Sequence, residues 1–492
     1  MKNFLVVILL FIQVSFAQKN EFLNREFWQT NPSVEEVNNK IKVGNDPAEL
    51  NRFGFDALGY ALLEKTNNQT LEYLLSLKGN DVNKLTHDAR TYIFWAAYKN
   101  NIDFVKYLIK KGADMNVIDD KGYNIINFAA VTGLQNPELY DLLIKNGVKI
   151  DTLTPDGANA LLLIIANLKD LSFTKYFIDK GLKIDHEDNY GNGIFNYAAS
   201  KDNRAILDDL IKEGVPYKNL NKINGNAILF ATEGTRKGYN SLDYFKHLEK
   251  LGVNPNVKTT DGFTPLHNLS YGCKDLKTYE YFINKGVDIS STDKEGNNIL
   301  MNAAYDNDIK IVKLLIQKTS NINHQNKKGV SALSNAVEGN SKDVVNLLIN
   351  KGANINVKDK NGNNLMYYLL QSYSDKDSQT FKQKMKLLKS EKNNLDITQK
   401  DGNTLYHLAV SKNSISLLKE IASFKQNINA KNKNGYTALQ KAIMSAKNTE
   451  IIKYLINIGA NKKVTTEFNE TVFDLASENE ALQNFDLNFL KI

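Results

Sequence analysis

The side chains best suited to chemistry are few: His87, His186, His247, His267, His324, His407 and one cysteine, Cys273. A zinc centre needs three or four histidine, cysteine or carboxylate ligands at short, recognisable spacings. None of these histidines pairs with another histidine or with the cysteine at such a spacing. The sequence holds no glycine-rich phosphate loop, no serine-nucleophile elbow and no HExxH run, and Cys273 has no catalytic motif around it, which predicts a buried, inert thiol. Neighbouring acids such as Asp119-Asp120 and Asp208-Asp209 are placed on turns or helix surfaces, where carboxylates are solvated rather than paired for catalysis. Catalytic residues, a metal and a cofactor are therefore not expected. The function must come from surface, so the question becomes which elements present it.

At 492 residues, 42% apolar and 24% charged with seven prolines, the chain is too long for one compact core and has the composition of a folded protein. The formal net charge is +7, but 57 of the 62 basic residues are lysine and acids are interspersed with them. Nucleic-acid binders cluster their cations and use arginine for phosphate and base contacts, so a nucleic-acid partner is not expected. Lys2, an apolar run from Phe4 to Ile12 and Ser15-Phe16-Ala17 before Gln18 predict a signal peptide over 1–17 and export to the periplasm or medium. The competing reading, an uncleaved anchor, has only the 13 residues Phe4 to Phe16 and includes Gln13, against the roughly 20 needed to span a bilayer. No membrane insertion is expected once the leader is cleaved. A single cysteine permits no internal disulfide, so stability must come from packing.

Self-alignment supplies the elements. A unit recurs thirteen times, anchored at Gly54, Ala89, Gly122, Gly157, Gly191, Gly225, Gly262, Gly296, Gly329, Gly362, Gly402, Gly435 and Asn469, 33 to 40 residues apart. A fixed period of this size denotes a stacked repeat architecture. The anchor requires a positive φ, which glycine and asparagine tolerate. Two residues later stand helix caps such as Asp56, Asn124, Thr264 and Thr404, with Gly193 and Ala227 departing from the rule. Four residues after the anchor every unit is apolar, and seven after it nine units have alanine, where two helices must approach closely. A second apolar segment follows, often closed by glycine as at Gly112, Gly147, Gly286 and Gly352. Each unit reads as turn, helix, helix and extended return, and it gains a core only by stacking.

The run Asp261-Gly262-Phe263-Thr264-Pro265-Leu266-His267 resembles the ankyrin signature, and Lys351-Gly352-Ala353-Asn354-Ile355-Asn356 resembles that family's unit ending. The resemblance implies an all-α ankyrin-repeat solenoid of stacked helix-turn-helix units with short β-hairpin loops, and it extends from about Phe53 to the C-terminus. It also implies that His267 and His407 hydrogen-bond between neighbouring turns. Residues 18–52, with Val34, Val37 and Ile41 at helical spacing, are expected to be a capping half-repeat, followed over 53–492 by 12 to 13 repeats and a C-terminal cap. Insertions at 133–137, 234–240 and 372–380 fall between the helices of three units, on one edge.

What the resemblance implies for function is a non-catalytic scaffold, expected to be a monomer, that binds a protein through its concave side. That side is built from hairpin tips and first helices, so the partner-binding candidates are Arg90, Tyr98, Tyr123, Tyr190, Phe263, Tyr271, Tyr305 and Tyr436. Aromatic and arginine side chains dominate interface energies. Asn192, Asn226, Asn297, Lys327, Lys328, Asn363 and Lys433 complete a polar, mildly basic face suited to an acidic protein. Alternatives are an accessory protein that protects an exported enzyme and the targeting arm of a hydrolase or toxin.

Overall fold

A computed structural model describes residues 20–390, 398–424 and 426–492; the signal peptide expected over 1–17 lies outside them. The described residues form helices joined by turns, with no strand beyond isolated antiparallel bridges such as Thr292 to Asn298, Gln325 to Ser331 and Thr465 to Thr471. The expected β-hairpins are thus reduced to single bridges and turns. The chain divides into two compact units, one ending at Lys222 and one running Ile223–Ile492.

The first unit opens with two helices, Arg25–Gln29 and Val34–Lys42, where the sequence suggested only the second. Trp28 explains the extra helix: it is fully buried and donates its indole N–H to the Phe22 carbonyl at 2.8 Å. Five helix pairs follow, from Ala57–Leu63 with Asn68–Ser76 to Ile194–Ala198 with Arg204–Lys212. The second unit has seven pairs, from Ala227–Thr232 with Leu242–Leu251 to Ala438–Ser445 with Glu450–Asn457, and then Val472–Glu478. Leu482 and Leu490 are fully buried against this last helix's end of the stack.

The anchor works as its residue type demands. Its glycines have φ from 76° at Gly362 to 84° at Gly157, and Asn469 has 63°. From each turn the chain enters the first helix through a cap; Asp56 Oδ1, for example, accepts the Gly59 N–H at 2.8 Å. One anchor must be moved. Asn224, φ 60°, takes the left-handed position in place of Gly225, so the cap is Asn226, which accepts the Ile228 N–H at 3.0 Å, and the buried position falls on Ile228. The apparent exception at Ala227 disappears with this one-residue shift. Gly193 remains an exception, capping without a side-chain bond.

Neighbouring hairpins are tied by the main chain. In the first unit the N–H of Asp120 reaches the Asp88 carbonyl at 3.0 Å, and that of Lys222 reaches Tyr190 at 2.9 Å. In the second, Lys327 reaches Glu295 at 3.0 Å, Lys360 reaches Lys328 at 2.9 Å, Lys400 reaches Asn361 at 2.9 Å and Lys433 reaches Asp401 at 2.8 Å. Pro155 occupies the same donor position but has no N–H, and its ring fills the space over Gly122 instead.

The insertion at 372–380 forms a 3-10 turn, Asp375–Asp377, and leads into the longer helix Ser378–Ser390. Lys384 on that helix is buried and donates to the Val337 and Asn340 carbonyls at 2.7 and 3.1 Å. Elsewhere asparagine does this: Asn340 donates to Ala304 and Asn307, and Asn479 to Ile443 and Asn479's second acceptor, Ala446. The acceptors occupy the same two repeat positions, so in the repeat with the insertion a lysine reaching from the second helix makes the bonds that asparagine makes in the other two.

Candidate functional site

The eight aromatic and arginine candidates separate by burial. Arg90 is only 7% exposed and is not available to a partner. Its Nε and Nη2 each donate to Asp119 Oδ2 at 2.7 Å, Nη1 lies 3.1 Å from Asp88 Oδ2, and the guanidinium lies 4.1 Å from the Phe128 ring centre and 5.3 Å from that of Trp95. Asp119 lies one repeat further on and is itself buried. Arg90 therefore locks two hairpins together, a use of its planar, many-donor head that hairpin position alone does not reveal.

Tyr98, Tyr190, Tyr271 and Tyr305 are exposed, at 37 to 56%. Tyr98 leans on Phe128 at 5.9 Å between ring centres, with the Lys99 ammonium 5.1 Å from its own. Tyr271 caps the helix Pro265–Ser270, and Tyr305 lies near the end of the next first helix, Ile299–Asp306. Those two helices pack on each other, which brings the two tyrosine positions onto adjacent repeats. Tyr123, Phe263 and Tyr436 are half-buried. Phe263 stacks on His267 at 5.1 Å, and burial raises the phenol pKa of Tyr123. Tyr98, Tyr123 and Tyr190 thus belong to the first unit, and Phe263, Tyr271, Tyr305 and Tyr436 to the second.

The asparagines expected on the polar face serve the scaffold. Asn192, Asn226 and Asn363 are 2 to 6% exposed. Asn192 donates to Asp188 Oδ2 at 2.9 Å, which also accepts the Tyr197 hydroxyl at 2.9 Å; Asn363, Asp359 and Tyr368 repeat that arrangement at 2.7 and 2.8 Å. Asn297 accepts from Asn326 at 2.7 Å across to the next hairpin. Lys327, Lys328 and Lys433 do lie exposed on hairpin tips.

Five of the six histidines stitch repeats together or cap helices. In the second unit Thr404 donates its N–H to His407 Nδ1 at 3.1 Å, and His407 Nε2 meets the Tyr436 carbonyl of the next hairpin at 2.9 Å. The ring is therefore neutral with its proton on Nε2, and burial lowers its pKa. His267 Nδ1 accepts from Thr264 in the same way, while its buried Nε2 lacks a well-aligned partner. His186 and His324 reach the carbonyls of Gly157 and Gly296, both at 2.8 Å, and His87 reaches Phe53 at 2.7 Å. Cys273 is 4% exposed and burial raises its pKa, which leaves the thiol protonated and unreactive. No group of three or more histidine, cysteine or carboxylate side chains among the described residues could hold a metal ion.

A surface feature that residue-type inspection missed lies on the hairpins of the first unit. Four residues before the anchor stand Leu50, Leu85, Ile118, Leu153 and Leu220, each 43 to 57% exposed, with Glu187 in the one remaining hairpin. The next position turns inward and is polar: Thr86, Asp119, Thr154 and Asp188 are all buried. Single exposed leucines are ordinary, but an aliphatic side chain recurring at one position in five of six hairpins forms an apolar row, interrupted at Glu187. In the second unit this position carries Lys258, Gln325, Lys358 and Lys431, all exposed, and Thr292, Thr398 and Thr465 in the other three hairpins. The signal was available in the repeat register, as an alternation of outward aliphatic and inward polar residues.

Comparison with known proteins places this architecture. The family model described as "Ankyrin repeats (3 copies)" matches residues 34–119, 58–154, 229–326, 269–359, 300–379 and 378–466. An ankyrin repeat protein of Acanthamoeba polyphaga mimivirus is 25% identical over 249 residues, 49% of this chain and 29% of its own. The phosphocholine transferase AnkX of Legionella pneumophila is 25% identical over 217 residues, 44% of this chain and 20% of the transferase. The nuclear factor NF-kappa-B p105 subunit of Gallus gallus is 30% identical over 210 residues, 42% of this chain and 20% of that subunit. These alignments span less than a third of each relative's length. The crystal structure of the human ASB11 ankyrin repeat domain overlays with a TM-score of 0.37 and 19% identity, over 45% of this chain and 96% of that one. With the family model spread over residues 34–154 and 229–466, the chain belongs to the ankyrin repeat family.

Proposed function

We propose that this chain is a scaffold that binds a partner protein through the hairpin tips and first helices of its repeats. Ankyrin repeats imply a protein interaction scaffold, and the repeat fold is typically non-catalytic. The observation that carries the more specific reading is the aliphatic row Leu50, Leu85, Ile118, Leu153 and Leu220. Five half-exposed aliphatic side chains, each worth on the order of 1 kcal/mol when its remaining surface is covered, leave apolar surface open to a partner. With Tyr98 and Tyr190 in the same unit they give an anchor-rich surface of the kind that dominates protein interfaces. Tyr271 and Tyr305 offer the second unit two further aromatic contacts.

The compartment is the periplasm or medium, supported by Lys2, the apolar run Phe4 to Ile12 and the small residues before Gln18. Among the described residues no helix is long and apolar enough to cross a membrane. A narrower role within this reading is an accessory that shields an exported enzyme. The transferase likeness adds no phosphocholine chemistry here, because it spans only 20% of that enzyme.

Affinity capture from the exported fraction of the native cells tests the proposal. The mature chain is compared with a variant carrying Leu85→Ser, Ile118→Ser and Leu153→Ser, whose helical content and melting temperature are checked first. One protein enriched by the native chain and depleted at least about tenfold by the folded variant is the expected result. Equal capture by both would remove the aliphatic row from the interface.

A further inference from the structure

In the second unit we propose a second docking surface, a lysine comb on the hairpin tips that binds an extended acidic polypeptide segment. This rests on the scaffold reading and adds the chemistry of a partner.

Lys327, Lys328, Lys358, Lys360, Lys431 and Lys433 all lie exposed on three hairpins, and the intervening hairpin presents Lys400. None of these ammonium groups has an ion-pair partner among the described residues. Surface lysines with acids at hand commonly pair, as Lys285 does with Glu249 and Lys382 with Glu420 in the same unit. The aspartates on these hairpins are engaged elsewhere, Asp359 by the Asn363 amide and the Tyr368 hydroxyl and Asp401 by the Asn403 amide, so the tips keep an excess of positive charge that an anionic ligand can neutralise.

The comb is also pre-positioned. Lys327, Lys360, Lys400 and Lys433 are the residues whose N–H groups tie each hairpin to the one before, so their spacing is fixed by the main chain. Two of their stems are packed as well: Lys327 Cγ would lie 3.4 Å from a Cβ on Gly296, and Lys400 Cγ 3.2 Å from one on Gly362. Each of these two stems lies over the preceding turn's glycine. Holding the stems in advance lowers the entropy lost on binding.

The chemistry favours protein over nucleic acid. The comb contains no arginine, and of the residues beside its anchors Val330, Asn363 and Asn403 offer no ring on which a base could stack, which leaves the half-buried Tyr436 alone against the successive rings that a strand of bases needs. Geometry then sets the ligand's pattern. Packed helices lie about 8–10 Å apart, and an extended chain advances about 3.3 Å per residue. A segment lying along the tips therefore places about every third residue at a successive hairpin. The partner is an extended segment with Asp or Glu at about every third position.

Fluorescence anisotropy with the full mature chain tests this. The probes are a labelled peptide of about fifteen residues with Glu at every third position and Ser or Gly between, the same peptide with Gln for Glu, an oligothymidylate and inorganic polyphosphate. The expected result is saturable binding of the Glu peptide that weakens at least tenfold between about 50 and 300 mM salt, with the Gln peptide not bound. Lys358→Glu with Lys360→Glu should weaken the Glu peptide at least about tenfold, and Lys327→Glu with Lys328→Glu provides an independent variant if the first alters the melting temperature. Equal binding of the Glu and Gln peptides, indifference to both charge reversals, or tighter binding of oligothymidylate or polyphosphate would overturn the comb. If the comb fails while capture through the aliphatic row persists, this inference falls and the scaffold reading stands.

Discussion

At the scale of single residues, His407 shows how a residue type associated with catalysis is used structurally. Its Nδ1 accepts the Thr404 N–H and its Nε2 proton goes to Tyr436 in the next hairpin, so protonating the ring would force a donor against a donor. Burial lowers its pKa below the ordinary 6.5, and Lys441 lowers it further while the Tyr436 carbonyl and Asp401 raise it. A depressed folded-state pKa means the unfolded chain takes up the proton first on acidification. The stabilisation is complete above about pH 6.5 and is lost as pH falls from there through the folded-state value. Gln440 fills the same repeat position, with Oε1 accepting the Thr437 N–H at 2.9 Å. His407→Gln is accordingly expected to fold and to lose less stability than the native chain between pH 7 and 5, measured by urea denaturation at each pH. Equal losses would show that the ring does not titrate differently in the two states.

The sequence identified this residue and its role through the family resemblance, but it misassigned Arg90. A hairpin position next to the anchor reads as exposed; only the Trp95 ring of its own repeat, together with the buried Asp119 and the Phe128 ring brought in by stacking of the next, shows that the guanidinium is internal. The same limit applied to Asn192 and Asn363, whose amides close a network with aspartate and tyrosine. Polar residues on a turn cannot be sorted into inward and outward from type alone.

At the scale of elements, the inserted helix Ser378–Ser390 makes a sharper prediction than the regular repeats. Lys384 is buried, and the cost of burying its charge lowers its pKa to about 8, with Asp377 and Glu338 opposing the shift. Between about pH 8 and the unfolded value of 10.5 the unfolded chain binds more protons, so this group makes stability rise with pH. Lys384→Met removes two hydrogen bonds to carbonyls left buried, a loss of about 1–3 kcal/mol at pH 7. It should also remove the rise, so that the native and variant denaturation midpoints diverge between pH 8 and 10. A constant difference across that range would mean that Lys384 is uncharged, or equally solvated, in both states.

Helix pairs, turns and the repeat period were legible because glycine at a positive-φ turn, a polar cap and alanine at close approach recur in register. The turn at Asn224 was missed by one residue because the adjacent Gly225 satisfied the pattern equally well. The short helix Arg25–Gln29 was missed because five residues do not establish a period; burial of Trp28 decides it.

For the whole molecule, the two units present different surfaces at one repeat position. Four residues before the anchor the first unit shows leucine or isoleucine in every hairpin but that of Glu187, and the second shows lysine, glutamine or threonine. An array needs neither set for stacking, since the core is built by the first helices, the second helices and the buried polar position beside this one. The aliphatic row belongs to the first unit and the lysine comb to the second. The overall assignment was legible in the sequence. The division of labour between surfaces was not, because it depends on which side of each hairpin a residue occupies.

Hydrogen–deuterium exchange of the mature chain, alone and with the captured partner, tests the scaffold claim most directly. The account predicts slowed exchange in hairpins around 85–90, 118–123 and 153–158 and in the first helices that follow them, with the second helices unchanged. Slowing confined to second helices such as Ile102–Lys110 and Pro137–Lys145, with the hairpins unaffected, would contradict it.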